Sequence, residues 1–229
     1  MQTVDTPTKY VEGIFVQELK NRFLCEVVID GVSTVCYVPS SCHLSNFLSL
    51  KGKKVLLVPI QSPKSRTKFA LFAVKYKRSF ILLNTSLANR AVEYSLNTRR
   101  LSFLGKRKEV LKEHTAHGYK ADLYIADSDT IIEVKSVISQ NACAIFPTIY
   151  SERTQKQLLQ IQAMLKAGIR ICFVIVSLSP YVKEIRIDRG TTFYQEFIKC
   201  IDYGMEVAAF SCRLIDGTPQ IDKRLSIVY

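Results

Sequence analysis

Asp122, Glu133 and Lys135 are the residues whose types and spacing best support chemistry. Asp122 lies in one strand-like run, Ala121 to Ala126, and Glu133 and Lys135 in the next, Thr130 to Val137; a short polar turn, Asp127-Ser128-Asp129, joins them. Folding back at that turn sets Asp122 beside Glu133. A separation of two along a strand sends Glu133 and Lys135 out of the same face. Two carboxylates and an ammonium then converge at the edge of a sheet. A phosphodiester resists hydroxide because its oxygens repel the nucleophile. A Mg²⁺ held by hard carboxylate oxygens offsets that charge, binds the scissile phosphate and acidifies a water. Asp122 and Glu133 are the expected ligands, with the Val134 carbonyl as a third oxygen and Mn²⁺ as an alternative ion. Lys135 is expected near the attacking water, orienting or deprotonating it and countering transition-state charge. Glu93 is a further catalytic carboxylate, suited to a second metal or a metal-bound water.

An acid beside a lysine on a strand is ordinarily a solvated cross-strand pair. Two features of context argue for more here. Glu133 and Lys135 interrupt an otherwise apolar strand, TIIEVKSV, where charge is costly without a partner or a purpose. They also follow a strongly basic stretch. The chain of 229 residues carries a net charge of +12, and residues 51–120 hold 17 basic side chains against three acidic ones, Glu93, Glu109 and Glu113. One basic segment on a nearly neutral body is the footprint of a polyanion binder. Lys68, Lys75, Lys77 and Arg78, interleaved with Phe69, Phe72, Tyr76 and Phe80, are the expected backbone contacts, some rings stacking bases and others filling the core.

The elements that position these residues fall into two halves. Residues 12 to about 83 read as short strands: Phe23 to Asp30, Ser33 to Val38, Lys54 to Ile60, Lys68 to Val74 and Ser79 to Leu83, with Asp30-Gly31 as a hairpin turn. About five such strands suit a small barrel of OB or SH3-like type. From Asn84 the period changes. Helices are expected over Asn84 to Leu101 (N-cap Thr85 or Ser86), Ser151 to Ala167 (stripe Leu158, Leu159, Ile161, Met164, Leu165) and Phe193 to Tyr203. Strands are expected over Glu109 to Leu111, Ile169 to Leu178 and, last, Glu206 to Leu214. That order implies a mixed α/β domain with a central sheet. The boundary is placed at 1–82 and 83–229. Arg153 and Lys156 stand in the first turns of the second helix, which reads as a capped start with a charged first turn. His114 and His117 read as loop residues, and His43 beside Cys42 as loop or core.

Composition excludes several classes. With 48% hydrophobic residues the chain is not disordered, and no run of about 18 apolar residues supports a membrane span. Seven scattered cysteines and a start without basic and apolar signal regions point to the cytoplasm.

Four blocks, in order, resemble the SfsA or "sugar fermentation stimulation" family. Asn84-Thr85-Ser86-Leu87-Ala88-Asn89 is similar to its NTxxAN helix start, and Asp122 with Glu133-Val134-Lys135-Ser136-Val137 to its nuclease core. Phe146-Pro147, Glu152-Arg153 and Gln157-Leu158 resemble its FPD…ERGxKHL segment, and Gly204-Met205-Glu206-Val207 to Cys212-Arg213 its GVEVLAYRCRV ending. The resemblance implies an N-terminal OB-like barrel, a C-terminal PD-(D/E)xK nuclease-like domain, and activity on DNA and RNA. It adds Asn84 and Asn89 to the candidate nucleic-acid contacts, and by analogy with PD-(D/E)xK folds Arg153 and Lys156, at a helix end expected to face the phosphate. One departure is plain: where the family has His-x-Pro-Asn-Thr-Gly, this chain has Tyr37-Val38-Pro39-Ser40-Ser41-Cys42. The expected function is Mg²⁺-dependent phosphodiester hydrolysis; the rival is a non-catalytic DNA-binding regulator that retains the fold. Neither a membrane nor a protein partner is implied.

Overall fold

The computed structural model describes residues 10–40, 43–98, 100–105, 108–149 and 152–229. Its N-terminal half is a barrel of β1 (Val11–Glu18), β2 (Leu24–Ile29), β3 (Val32–Tyr37), β4 (Lys54–Pro59), β5 (Phe69–Tyr76) and β6 (Ser79–Leu82). The hydrogen-bonded order is β3-β2-β1-β4-β5-β6. A parallel contact between Tyr37 of β3 and Ala70 of β5 closes the ring. Strands 1, 2, 3, 5 and 4 thus form the closed barrel, with β6 extending β5, and the OB alternative holds over the SH3-like one. Asp30 and Gly31 both take positive φ, 48° and 80°, so the β2–β3 turn is the tight type that matches strand twist.

The second half comprises α1 (Leu87–Asn97), β7 (Val110–Lys112), β8 (Thr115–Ala116), β9 (Tyr119–Lys120), β10 (Leu123–Ile125), β11 (Thr130–Val137) and β12 (Cys143–Phe146). There follow α2 (Glu152–Lys166), β13 (Arg170–Ser177), β14 (Glu184–Ile187), α3 (Thr192–Asp202), β15 (Glu206–Ile215), β16 (Thr218–Arg224) and β17 (Ser226–Val228). The central sheet runs β16-β15-β13-β11-β10-β7. Its middle strands β11, β13 and β15 are parallel and its flanks antiparallel, so the sheet is mixed. β13 is buried throughout after its first residue, as a strand covered on both faces requires. On one face lie α1 and the barrel, in one continuous core with Ile132, Val134, Cys172 and Val174. On the other lie α2 and α3, packed on Ile131, Phe173 and Ile175. The Leu82 N–H bonds to the Leu178 carbonyl at 2.9 Å, so the two halves share backbone hydrogen bonding as well as core.

Several expectations need correction. The first helix ends at Asn97 rather than Leu101, and the Ser86 hydroxyl caps nothing: it donates to Asn84 Oδ1 at 2.7 Å, which also accepts the Ser86 N–H at 3.0 Å. Leu159 is 52% exposed, since one residue past Leu158 turns the chain about 100° away from the buried stripe. The strand from Glu206 is not the last; β16 and β17 follow, and β12, β14 and β17 form a second, parallel sheet. Of the four barrel rings, Phe72 is core, while Phe69, Tyr76 and Phe80 are partly buried against it. Cys42 and Ser151 lie outside the described residues. No described helix is long and apolar enough to cross a membrane.

Candidate active site

β10 and β11 pair antiparallel, with Leu123 opposite Ile132 as the last rung. The next residues along the two strands are Asp122 and Glu133, near enough for the Asp122 charge to act on Glu133. There the ladder stops. A continued strand would give the Ala121 N–H to the Val134 carbonyl and take the Val134 N–H in return. Instead the Ala121 N–H bonds His114 O at 2.9 Å, and the Asp122 carbonyl accepts from Glu113 N at 3.0 Å. The Val134 N–H is satisfied by the Asp122 side chain, Oδ2 accepting at 2.8 Å. Since N–H and C=O of one strand residue point to the same side of the strand, the Val134 carbonyl lies on the β10 side of β11 with its N–H. Asn89 of α1 fixes the other oxygen, its Nδ2 donating to Asp122 Oδ1 at 3.1 Å.

Glu133 is 1% exposed in the middle of β11. Both its oxygens are engaged: Tyr119 OH donates to Oε2 at 2.6 Å, and Lys135 Nζ and Gln157 Nε2 donate to Oε1 at 2.6 and 3.0 Å. Gln157 Oε1 accepts from Lys135 Nζ at 2.8 Å, so one carboxamide holds both members of the ion pair. Burial pushes the Glu133 carboxyl above the ordinary glutamate range; Lys135 pulls it back and the neighbouring Asp122 charge pushes it further up. Burial, then Glu133, raises the Tyr119 hydroxyl, which keeps it protonated and donating. The oxygens of Asp122, Glu133 and Val134 are hard donors of the kind Mg²⁺, Mn²⁺ and Ca²⁺ take.

The remaining candidates are dispersed. Glu93 lies one turn along α1 from Asn89, and its carboxylate pairs with Lys112 Nζ at 3.2 Å. Among the described residues no group of three or more acid, histidine or cysteine side chains is placed to hold a metal, so Glu93 is not drawn into a cluster with Asp122 and Glu133. Lys75, Lys77 and Arg78 gather at the β5–β6 turn, while Lys68 stands before the opposite end of β5. Arg153 and Lys156 are exposed on the first turn and a half of α2. Asn84 shapes the start of α1 and Asn89 holds Asp122. His117 pairs with Asp129 at 2.8 Å, His114 stacks on Tyr124 at 5.0 Å, and His43 lies 3.5 Å from Glu18.

Sequence reasoning missed Tyr119 and Gln157. Tyr119 sits on a two-residue strand with no pattern to mark it. Gln157 did carry a signal: it precedes Ile161 by four and Met164 by seven, which makes it polar on a buried helical stripe.

Comparison with known proteins agrees with this architecture. Residues 86–217 match the "Sugar fermentation stimulation protein RE domain" and residues 19–83 the "SfsA N-terminal OB domain". A sugar fermentation stimulation protein homolog of Pseudoalteromonas atlantica is 26% identical, covering 95% of this chain and 97% of its own. A Natranaerobius thermophilus homolog is 31% identical over 69% of this chain and 68% of its own. The structure of Pyrococcus furiosus SfsA in complex with Ca²⁺ superposes with a TM-score of 0.84 at 17% identity, covering 97% of both chains. On two domain matches and relatives aligned nearly end to end, the chain belongs to the sugar fermentation stimulation protein (SfsA) family.

Proposed function

We propose that this chain is a divalent-cation-dependent nuclease that hydrolyses phosphodiester bonds in DNA and RNA, with a PD-(D/E)xK-type centre at Asp122, Glu133 and Lys135. The observation that carries the reading is Glu133, a carboxylate 1% exposed in an apolar strand and held beside a second carboxylate. A purely structural role would favour an apolar residue there, because burying a carboxylate costs several kcal/mol unless it is well paired. The Ca²⁺ complex of the Pyrococcus furiosus protein, which shares the fold, supports a hard-cation site in the family.

Asp122, Glu133 and the Val134 carbonyl would hold Mg²⁺ or Mn²⁺. The ion, when bound, supplies charge neutralisation at the phosphate and acidifies a water. Asn89 and the Val134 N–H keep the Asp122 carboxylate in one orientation, and Tyr119 and Gln157 do the same for Glu133. Lys135, with 21% of its side chain exposed, reaches solvent from beside the buried Glu133. Anchored by Glu133 and Gln157, its ammonium orients the attacking water and offsets negative charge as the phosphate turns pentacoordinate. Lys68, Lys75, Lys77, Arg78, Arg153 and Lys156 grip the backbone, so binding weakens steeply with salt.

The test is cleavage of labelled single- and double-stranded DNA and RNA with Mg²⁺, Mn²⁺ or EDTA, by the native protein and by Glu133→Gln. The expected result is cutting that needs either ion and falls about 100-fold or more in the variant, with binding retained or tightened. Native protein that binds nucleic acid yet cuts none of the four substrates overturns the enzymatic reading in favour of a DNA-binding regulator.

A further inference from the structure

Tyr181, in the loop after β13, reaches across the seam to the β5–β6 turn. Its hydroxyl donates to the Tyr76 carbonyl at 3.0 Å and accepts the Arg78 N–H at 3.1 Å. The Tyr76 and Tyr181 rings meet edge-on with centroids 5.4 Å apart. Lys77, held at φ 49°, places its Nζ 5.3 Å from the Tyr76 ring and 5.4 Å from the Tyr181 ring. Lys53 approaches Tyr76 at 5.5 Å, and Lys75 lies 4.7 Å over Phe80. Two half-buried rings, Tyr76 and Tyr181, and two lysines, Lys53 and Lys77, therefore share one surface between the barrel and the α/β half, with Arg78 beside them at the turn; Lys75 and Phe80 stand opposite each other on the next rung and point to the other face of the hairpin.

Among the described residues Lys53, Lys77 and Arg78 have no carboxylate within ion-pair distance, and the two lysines sit against ring faces instead. Such a patch lacks an anion. Tyr76 packs on the barrel core and Tyr181 is tethered by its hydroxyl, so the two rings are fixed platforms. A ligand that satisfies both halves must offer repeated negative charge and flat π surfaces. An unpaired nucleic-acid strand does so, its phosphates meeting the cations and its bases the rings, whereas a duplex keeps its bases inside. The loop with Tyr181 leaves β13 at the end of the sheet toward which β11 runs past Lys135, Val137 standing opposite Ser177.

We propose that Tyr76 and Tyr181, with Lys53, Lys77 and Arg78, form a stacking platform for an unpaired DNA or RNA strand, separate from the centre at Glu133. It rests on the nuclease reading only for what happens to the strand once held.

The experiment measures fluorescence anisotropy of a labelled oligothymidine, and of a blunt duplex of equal length, against the full-length protein in EDTA, where nothing is cut. Tyr181→Ala should weaken binding of the single strand about 5- to 150-fold, the loss of one stacked base, and leave the duplex unchanged within a factor of about two. Tyr181→Phe keeps the ring without the tether and should bind the single strand as native protein does. Lys53→Ala with Lys77→Ala, changes at a half-buried and an exposed position outside the core, should make the log–log salt slope shallower by about 1.4. Equal loss in the Ala and Phe variants would mean the hydroxyl tether is all that matters, and overturns the proposal. An unchanged slope in the lysine variant does so too. Cleavage by the native protein is read separately with Mg²⁺: absent cleavage with the expected binding pattern defeats the nuclease reading alone, and present cleavage with unaltered binding defeats the platform alone.

Discussion

Tyr119→Phe removes one oxygen from the site and little else. The ring is 4% exposed and stays in place, so no cavity opens; what disappears is the 2.6 Å donor to Glu133 Oε2. A hydrogen bond to a charged group contributes about 1.5–3 kcal/mol. For a chain of this length about 1 kcal/mol moves Tm by about 2–4 °C, so the variant should melt about 3–12 °C lower. The loss has a definite pH dependence. A donor to a carboxylate favours its ionised form. Its contribution is therefore present above the folded pKa of Glu133 and fades as pH falls through it. Burial sets that pKa above the ordinary glutamate value. The deficit should thus be full at about pH 8 and shrink at about pH 4 toward the roughly 1 kcal/mol of a neutral hydrogen bond. Because Tyr119 also aims Glu133, Mg²⁺ affinity should drop about 10- to 100-fold, as when outer-shell partners of metal ligands are removed. Calorimetric melting at both pH values and titration calorimetry with Mg²⁺ read the two effects. Melting within about 1 °C of native protein at pH 8 refutes the reasoning, since the bond would then contribute nothing. So does an equal deficit at both pH values, which would place the effect in packing.

Glu133→Gln should change stability with the opposite sign. Burial raises the Glu133 pKa, so the native protein carries no penalty while the group is protonated in both states and the full penalty above the raised folded value. The variant should gain stability relative to native as pH rises from about 4 to about 8; a relative loss over that range would show that the ion pair outweighs burial. Charge reversal at Lys75, Lys77 and Arg78 together should weaken nucleic-acid binding and flatten its salt dependence, by about 0.9 in slope for each duplex-DNA phosphate that is no longer neutralised; an unaltered slope moves the interface elsewhere. Gly13→Ala tests the barrel alone. A Cβ there would lie 2.5 Å from Val27 Cγ1 and 2.9 Å from the Val28 carbonyl, so the strand must shift at a cost of about 1–3 kcal/mol, seen as a lower Tm with Mg²⁺ affinity unchanged.

The legible parts of this molecule are those fixed by local spacing. Asp30-Gly31 announces a hairpin because its backbone needs two positive φ angles in succession. The turn at Asp127 to Asp129 fixes the register that sets Leu123 opposite Ile132, one residue short of Asp122 and Glu133. The apolar spacing of Leu87, Ala91, Val92 and Leu96 gives the buried face of α1. The second sheet was not legible for a physical reason. CAIF and EIRI are only four residues each, and they pair in parallel across 41 positions of sequence, so no turn marks their partnership. β16 hides behind Pro219, which a strand tolerates at the edge of a sheet, where β16 lies.

At the candidate centre the division between legible and hidden has a structural cause. The two carboxylates and the lysine are set by strand alternation, which is readable. What leaves the Val134 N–H to the Asp122 carboxylate is the departure of Ala121 toward His114, a backbone choice that no residue type announces. Had β10 continued by one more rung, Ala121 would satisfy Val134 and the carboxylate of Asp122 would have no backbone donor to orient it. The place where the ladder ends therefore does for Asp122 what Tyr119 and Gln157 do for Glu133. The β8–β9 hairpin that brings Tyr119 down onto Glu133 begins at that same departure, with Ala121 bonded to His114 on one side of it and Thr115 opposite Lys120 on the other. One break in one ladder thus aims both carboxylates, and any change that restores the pairing of residues 121 and 134 should weaken cation binding at both.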